Sequence, residues 1–79
     1  MSYDKFIEIG NTQVGDYTIN TIKPNHSNIY ETAIKLTELG DWHIVLKYIS
    51  KEDAIKGHEI YCNMNENEIE EILYKIFKD

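Results

Sequence analysis

The hydrophobic pattern changes period once, at Ser50, and that switch confines the chain to a narrow class of folds. Before it, apolar and β-branched residues alternate with polar ones, as half-buried strands require. After it they recur every three or four positions, as amphipathic helices require. A run of strands followed by a run of helices implies an antiparallel sheet with the helices on one face.

Phe6-Ile7-Glu8-Ile9 is a short apolar run that ends at the turn signal Gly10-Asn11. Val14 to Ile22 sets Tyr17, Ile19 and Thr21 against Thr18, Asn20 and Ile22. Lys23 to Asn28 holds the single proline and reads as a loop. Ile29 to Thr37 sets Tyr30, Thr32, Ile34 and Leu36 against Glu31, Ala33 and Lys35. Glu38-Leu39-Gly40-Asp41 reads as a hairpin turn. Trp42 to Ile49 groups Trp42, Ile44, Leu46 and Tyr48 on one face, leaving His43, Val45 and Ile49 on the other.

Ser50 is a good N-cap, and Glu52 and Asp53 favour the positive end of the helix that follows. Ala54, Ile55, His58, Tyr61 and Cys62 would share its inner side, with Gly57 a costly mid-helix residue unless something approaches it closely. Asn63 to Asn65 break that helix, and Asn65 with Glu68 forms a capping-box pair for the next. Ile69, Ile72, Leu73, Ile76 and Phe77 make its apolar stripe. The expectation is one α+β domain over 1–79, ordered β-β-β-β-α-α. A four-stranded antiparallel sheet over 3–49 precedes C-terminal helices at 51–62 and 66–78, both packed on one sheet face. The uncovered face, carrying His43, Val45 and Ile49, is then available to a partner or to a second copy of the chain.

Charge and cysteine usage narrow the partners. The net charge is −6, with 8 lysines and no arginine. A chain without a basic face or any guanidinium is poorly equipped to grip phosphates or read guanine, so no direct nucleic-acid binding is expected. An acidic surface suits a basic protein, and the same charge serves equally to keep a small protein soluble. The single cysteine, Cys62, cannot form an intrachain disulfide and fits a reducing compartment. No apolar run approaches the roughly 20 residues of a membrane span, and the first residues lack the pattern of a secretory leader. A cytoplasmic location, with no membrane partner, follows as the expectation.

The catalytic inventory is thin, and no enzymatic activity is expected. Glycines 10, 15, 40 and 57 are scattered and form no phosphate loop. Neither Cys62 nor Ser2, Ser27 or Ser50 lies in a recognisable nucleophile setting. His58 and Cys62 stand at i, i+4, a spacing two metal ligands would use. A structural zinc site needs four ligands, and His26 and His43 are distant singles, so neither metal nor cofactor is expected. Six tyrosines and Trp42 serve either as core fillers or as interface anchors.

Four blocks carry a family resemblance: Val14-Gly15-Asp16-Tyr17, Ile19-Asn20-Thr21, Tyr30-Glu31-Thr32, and the run Tyr48-Ile49-Ser50-Lys51-Glu52-Asp53-Ala54-Ile55-Lys56-Gly57-His58-Glu59. Over Val14 to His58 the chain resembles a family of small, mostly uncharacterised phage and prophage proteins. The last block is the most specific. Asn20 departs from the family's Ser or Thr, the loop at Lys23 to Asn28 is short for the family, and the C-terminal helix has no counterpart there. The resemblance implies a phage or prophage origin and transfers no activity. It draws notice to Glu31 and Thr32. With the polar and aromatic residues around them, the candidate binding residues are Thr21, Glu31, Thr32, His43, Tyr48 and His58. A hydrogen-bonded cluster of Thr21, Glu31, Thr32 and His58 is one arrangement the strands could produce.

The leading expectation is an accessory phage protein that binds and blocks a host protein, such as a defence component, by occlusion. Two alternatives stand beside it. One is an oligomer that sequesters a nucleotide signal, using Lys23, Lys47 and backbone amides. The other is a homodimeric structural or regulatory module joined through the free sheet face.

Overall fold

The computed structural model describes residues 5–36 and 40–78, with side chains through residue 76. It has the expected α+β architecture. Strands β1 (Phe6–Val14), β2 (Tyr17–Pro24), β3 (Tyr30–Leu36) and β4 (Trp42–Tyr48) form one antiparallel sheet in the order β1-β2-β3-β4. Helices α1 (Lys51–Cys62) and α2 (Glu66–Lys78) follow. Residues 37–39, which include Glu38 and Leu39 of the expected turn before β4, lie outside the described residues, as do Tyr3 and the side chain of Phe77.

Both helix starts follow from local chemistry. The Ser50 hydroxyl accepts from the Asp53 amide at 3.1 Å, and Glu52 and Asp53 lie in the first turn of α1. The capping box is complete: the Glu68 amide donates to Asn65 Oδ1 at 2.9 Å, and the Asn65 amide donates to Glu68 Oε1 at 3.0 Å.

The first strand is longer than its apolar run suggests. β1 continues through Gly10-Asn11, which is no turn, and the chain reverses at Gly15-Asp16 between the paired Val14 and Tyr17. Gly15 has φ +60 and Asp16 has no positive φ, the pattern of a two-residue loop with glycine first. A Glu66 carboxylate oxygen accepts from the Asp16 amide at 2.8 Å, which fastens the start of α2 to this hairpin.

Each edge strand carries a bulge. In β1, Glu8 faces Ile22 and Gly10 faces Thr21, so Ile9 is the extra residue. In β4, Leu46 faces Thr32 and Ile44 faces Ala33, so Val45 is extra. An inserted residue flips the phase of a strand. This overturns the expected faces of β4. Trp42 and Ile44 pair with Lys35 and Ala33 and point away from the helices. His43 pairs with Ile34 on the helix side, and Val45 packs against the core. Ile49 follows the strand and is exposed. The uncovered face therefore carries Trp42 and Ile44, not His43 and Val45.

Tyr17, Ile19, Ile34, Tyr61, Ile69 and Leu73 make the apolar core, contributed by β2, β3 and both helices. The inner side of α1 differs from the expected stripe. Ala54, Gly57, His58 and Tyr61 are buried, while Ile55 is exposed and Cys62 half-buried. Small and polar residues let α1 lie close to the sheet. A Cβ on Gly57 would overlap the Tyr48 ring and hydroxyl, so glycine is the residue that fits there.

Gly57→Ala tests this. Helix propensity alone would stabilise the protein by about 1 kcal/mol. Overlap with Tyr48 should reverse the sign and destabilise it by about 1–3 kcal/mol, read from urea unfolding midpoints. A stabilised variant would show that the helix stands further from the sheet.

Candidate functional site

The polar residues singled out by sequence fall into three separate places. Thr21, Thr32, Tyr48 and His58 meet beneath α1. Thr21 Oγ1 lies 2.6 Å from Thr32 Oγ1 and 2.7 Å from His58 Nδ1. Thr32 Oγ1 lies 3.0 Å from the Tyr48 hydroxyl. On the far side of the imidazole, Nε2 is 3.1 Å from Thr12 Oγ1. The result is a chain of hydrogen bonds, Thr12–His58–Thr21–Thr32–Tyr48, that crosses every strand under one helix.

The strands build this chain by register. Thr21 and Thr32 face each other across β2 and β3, and Tyr48 faces Tyr30 two pairs further along β3. Gly10 makes room for the imidazole, since a Cβ there would fall 2.5 Å from Nε2. Thr21 and Thr32 are fully buried and His58 is 8% exposed, yet among the described residues no buried side-chain polar atom lacks a partner. Sequence reasoning missed Thr12 and Gly10. The signal was present, because an isolated glycine inside a strand marks a bulge or a close approach.

Burial pushes the His58 pKa below its ordinary value, against the smaller opposing pull of the Glu59 and Glu8 charges. Its ring neighbours are neutral hydroxyls that can accept as well as donate. Protonation would therefore not break the chain, and loss of hydration is what opposes the charge. Both ring nitrogens are already occupied by threonine hydroxyls, so His58 has none to offer a metal alongside Cys62. Among the described residues no three His, Cys, Asp or Glu side chains are grouped as metal ligands. Burial also raises the Tyr48 pKa, and the bond to Thr32 pulls the other way.

Glu31 does not join the cluster. It pairs with Ile22 and Lys47 and lies on the face of the sheet away from the helices. That face holds a concavity of about 420 Å³ whose apolar lining is Phe6, Ile22, Ala33, Trp42 and Ile44, with Glu8 and Glu31 among its polar members. Phe6, Trp42 and Ile44 are each close to half exposed. The Lys35 ammonium sits 4.8 Å from the centre of the Trp42 ring.

His43 belongs to a third place, a cleft of about 400 Å³ between α2 and one end of the sheet. Among the described residues neither concavity has a lysine in its lining. Lys23, one of the cations considered for a phosphorylated ligand, donates to the Ser27 carbonyl at 3.0 Å and the Pro24 carbonyl at 3.3 Å. No helix of the described residues is long and apolar enough to cross a membrane.

Thr32→Val should cut the chain between Thr21 and Tyr48 and cost about 1–3 kcal/mol in urea unfolding. Thr32→Ser, which keeps the hydroxyl, should cost less than half of that. His58 also predicts a pH dependence. Its native pKa is below the unfolded value of 6.5, so the unfolded chain binds more protons as the pH drops below 6.5. The contribution is complete above that pH and is lost as pH falls towards the native pKa. The stability difference between wild type and His58→Gln should therefore shrink between about pH 7 and pH 5; a constant difference would contradict the assignment.

No protein-family model matches this sequence, and comparison with curated proteins and with solved structures found no similar chain.

Proposed function

We propose that this protein acts by binding another protein on the uncovered face of its sheet, and that it has no reaction of its own. The observation that carries this reading is the apolar strip Phe6–Ile22–Ala33–Ile44–Trp42, which runs across all four strands on the side no helix covers. An antiparallel sheet tolerates one solvated face when that face is polar. Here it is apolar at its centre, with a tryptophan of the kind that anchors interfaces. Glu8 and Glu31 border the strip, and the chain's net charge of −6 adds to the field a basic partner would meet. A phage or prophage accessory protein that occludes a basic host protein is the biological form of this reading, and it follows the resemblance described above.

Self-association competes for the same surface. Glu31 lies opposite Lys47 and Lys35 lies over Trp42, so the strip is edged by both signs of charge. Such an edge can satisfy its own copy across a two-fold axis. Nucleotide sequestration has less support, because the carboxylates in both concavities would repel phosphates.

The test uses Ile44→Glu and Trp42→Ala, both at exposed outer positions where folding should survive. Each is compared with wild type in sedimentation and in affinity capture from bacterial lysate at low and high salt. Binding through this face predicts one captured protein, recovered at low salt, lost at high salt and lost in both variants. A wild type that dimerises at micromolar concentration while Ile44→Glu stays monomeric assigns the face to a second copy. Retention of the same partner by both variants would remove this face from the function.

A further inference from the structure

The cleft on the helix side differs chemically from the sheet face. It is bounded by Tyr17 at the start of β2, Leu36 at the end of β3, Asp41 just before β4, His43 within it, and Glu70, Leu73 and Tyr74 of α2. Its volume of about 400 Å³ falls within the range of small-ligand sites, which begins near roughly 300 Å³. Two aromatic rings, two leucines, two carboxylates and an imidazole line this space, with no lysine among the described residues. Tyr17 shows the sign of the local field. Its hydroxyl bonds the Glu70 carboxylate, and its pKa is raised first by burial and then by the charges of Glu70, Glu66 and Asp16.

That combination discriminates among ligands. An anion would meet the Asp41 and Glu70 carboxylates with no lysine beside them among the described residues. A neutral apolar molecule would strip water from both carboxylates and return nothing to them. A cation on an apolar body satisfies every part of the lining. Carboxylates neutralise it, tyrosine faces attract it through their quadrupoles, and leucines cover its hydrocarbon. We propose that this cleft binds an organic ammonium group, with Asp41 and Glu70 as counter-charges, Tyr17 and Tyr74 as aromatic walls, and Leu36 and Leu73 as the apolar floor. The group is either a free alkylammonium compound or the side chain of a lysine in a bound polypeptide. The site is independent of the sheet-face reading, because it lies on the opposite layer.

The test is an NMR titration of the full chain at constant ionic strength. The probes are n-butylammonium, tetramethylammonium, butyrate as the anionic control, and the peptide acetyl-Gly-Lys-Gly-amide. Saturable shifts at Tyr17, Leu73 and Tyr74 are expected with the cations and not with butyrate. Glu70→Gln retains an acceptor for the Tyr17 hydroxyl, and Asp41→Asn keeps its shape, so both should fold. Each should weaken cation binding about fivefold, the effect of removing one partly exposed charge. Saturation by the small cations but not the peptide assigns the site to a free amine, and saturation by the peptide assigns it to a partner's lysine. Equal shifts with butyrate, no saturation by any cation, or unchanged affinity in both variants would overturn the proposal.

Discussion

His58 reaches from the middle of α1 into the sheet and bonds a threonine hydroxyl with each of its nitrogens. Much of the remaining architecture is conditioned by that pair of bonds. To place the ring there, β1 must present glycine at position 10 and threonine at position 12, and β2 must turn Thr21 inward. A one-residue slip of β2 would carry Thr21 to the outer face and leave a buried imidazole nitrogen unpaired. Such an orphan costs about 1–3 kcal/mol, a large share of the stability a domain of this size commands. The polar chain thus penalises wrong registers more than it rewards the right one, and its members specify one another.

The close seat of α1 has a second consequence. With Gly57 against Tyr48 and His58 against Gly10, this helix approaches the sheet through small and polar groups rather than a broad apolar stripe. The apolar core is accordingly displaced towards α2, where Ile69 and Leu73 join Tyr17, Ile19, Ile34 and Tyr61. Apolar side chains remain on the opposite side of the sheet, where no element of the described residues covers them. A polar interior junction and an apolar exterior strip are two sides of the same four strands. The functional reading rests on that inversion, since a solvated sheet face gains nothing from Phe6, Ile44 and Trp42 unless they meet another surface.

Legibility differed between kinds of feature. Element types and the starts of both helices follow from local chemistry, and Ser50 and the Asn65–Glu68 box act within one turn of chain. Period-two alternation grouped Tyr17, Ile19 and Thr21 on one face and Thr32 with Ile34 on another strand's face, and these groupings hold on the inner side because β2 and β3 are regular where they pair. It failed in β4, where Val45 is inserted and everything before it changes side. It also failed at Gly10, where a glycine that admits an imidazole looks like a turn. Of the six candidate residues, Thr21, Thr32, Tyr48 and His58 assemble, while Glu31 and His43 end on opposite layers. Of the cleft residues, Glu70 and Tyr74 stand four apart on α2, but Tyr17 and Asp41 are distant from them and from each other, so no local spacing links the set.

Sequence alone determined the order of strands and helices, their caps, the acidic balance and the helix stripes that bury Ala54, His58, Tyr61, Ile69 and Leu73. These depend on neighbours a few positions away or on composition. Only the tertiary structure decided which way β4 faces, how close α1 lies, and which polar residues meet. Those outcomes turn on bulges and on contacts between residues as distant as Thr12 and His58, whose energies exist only once the layers have closed.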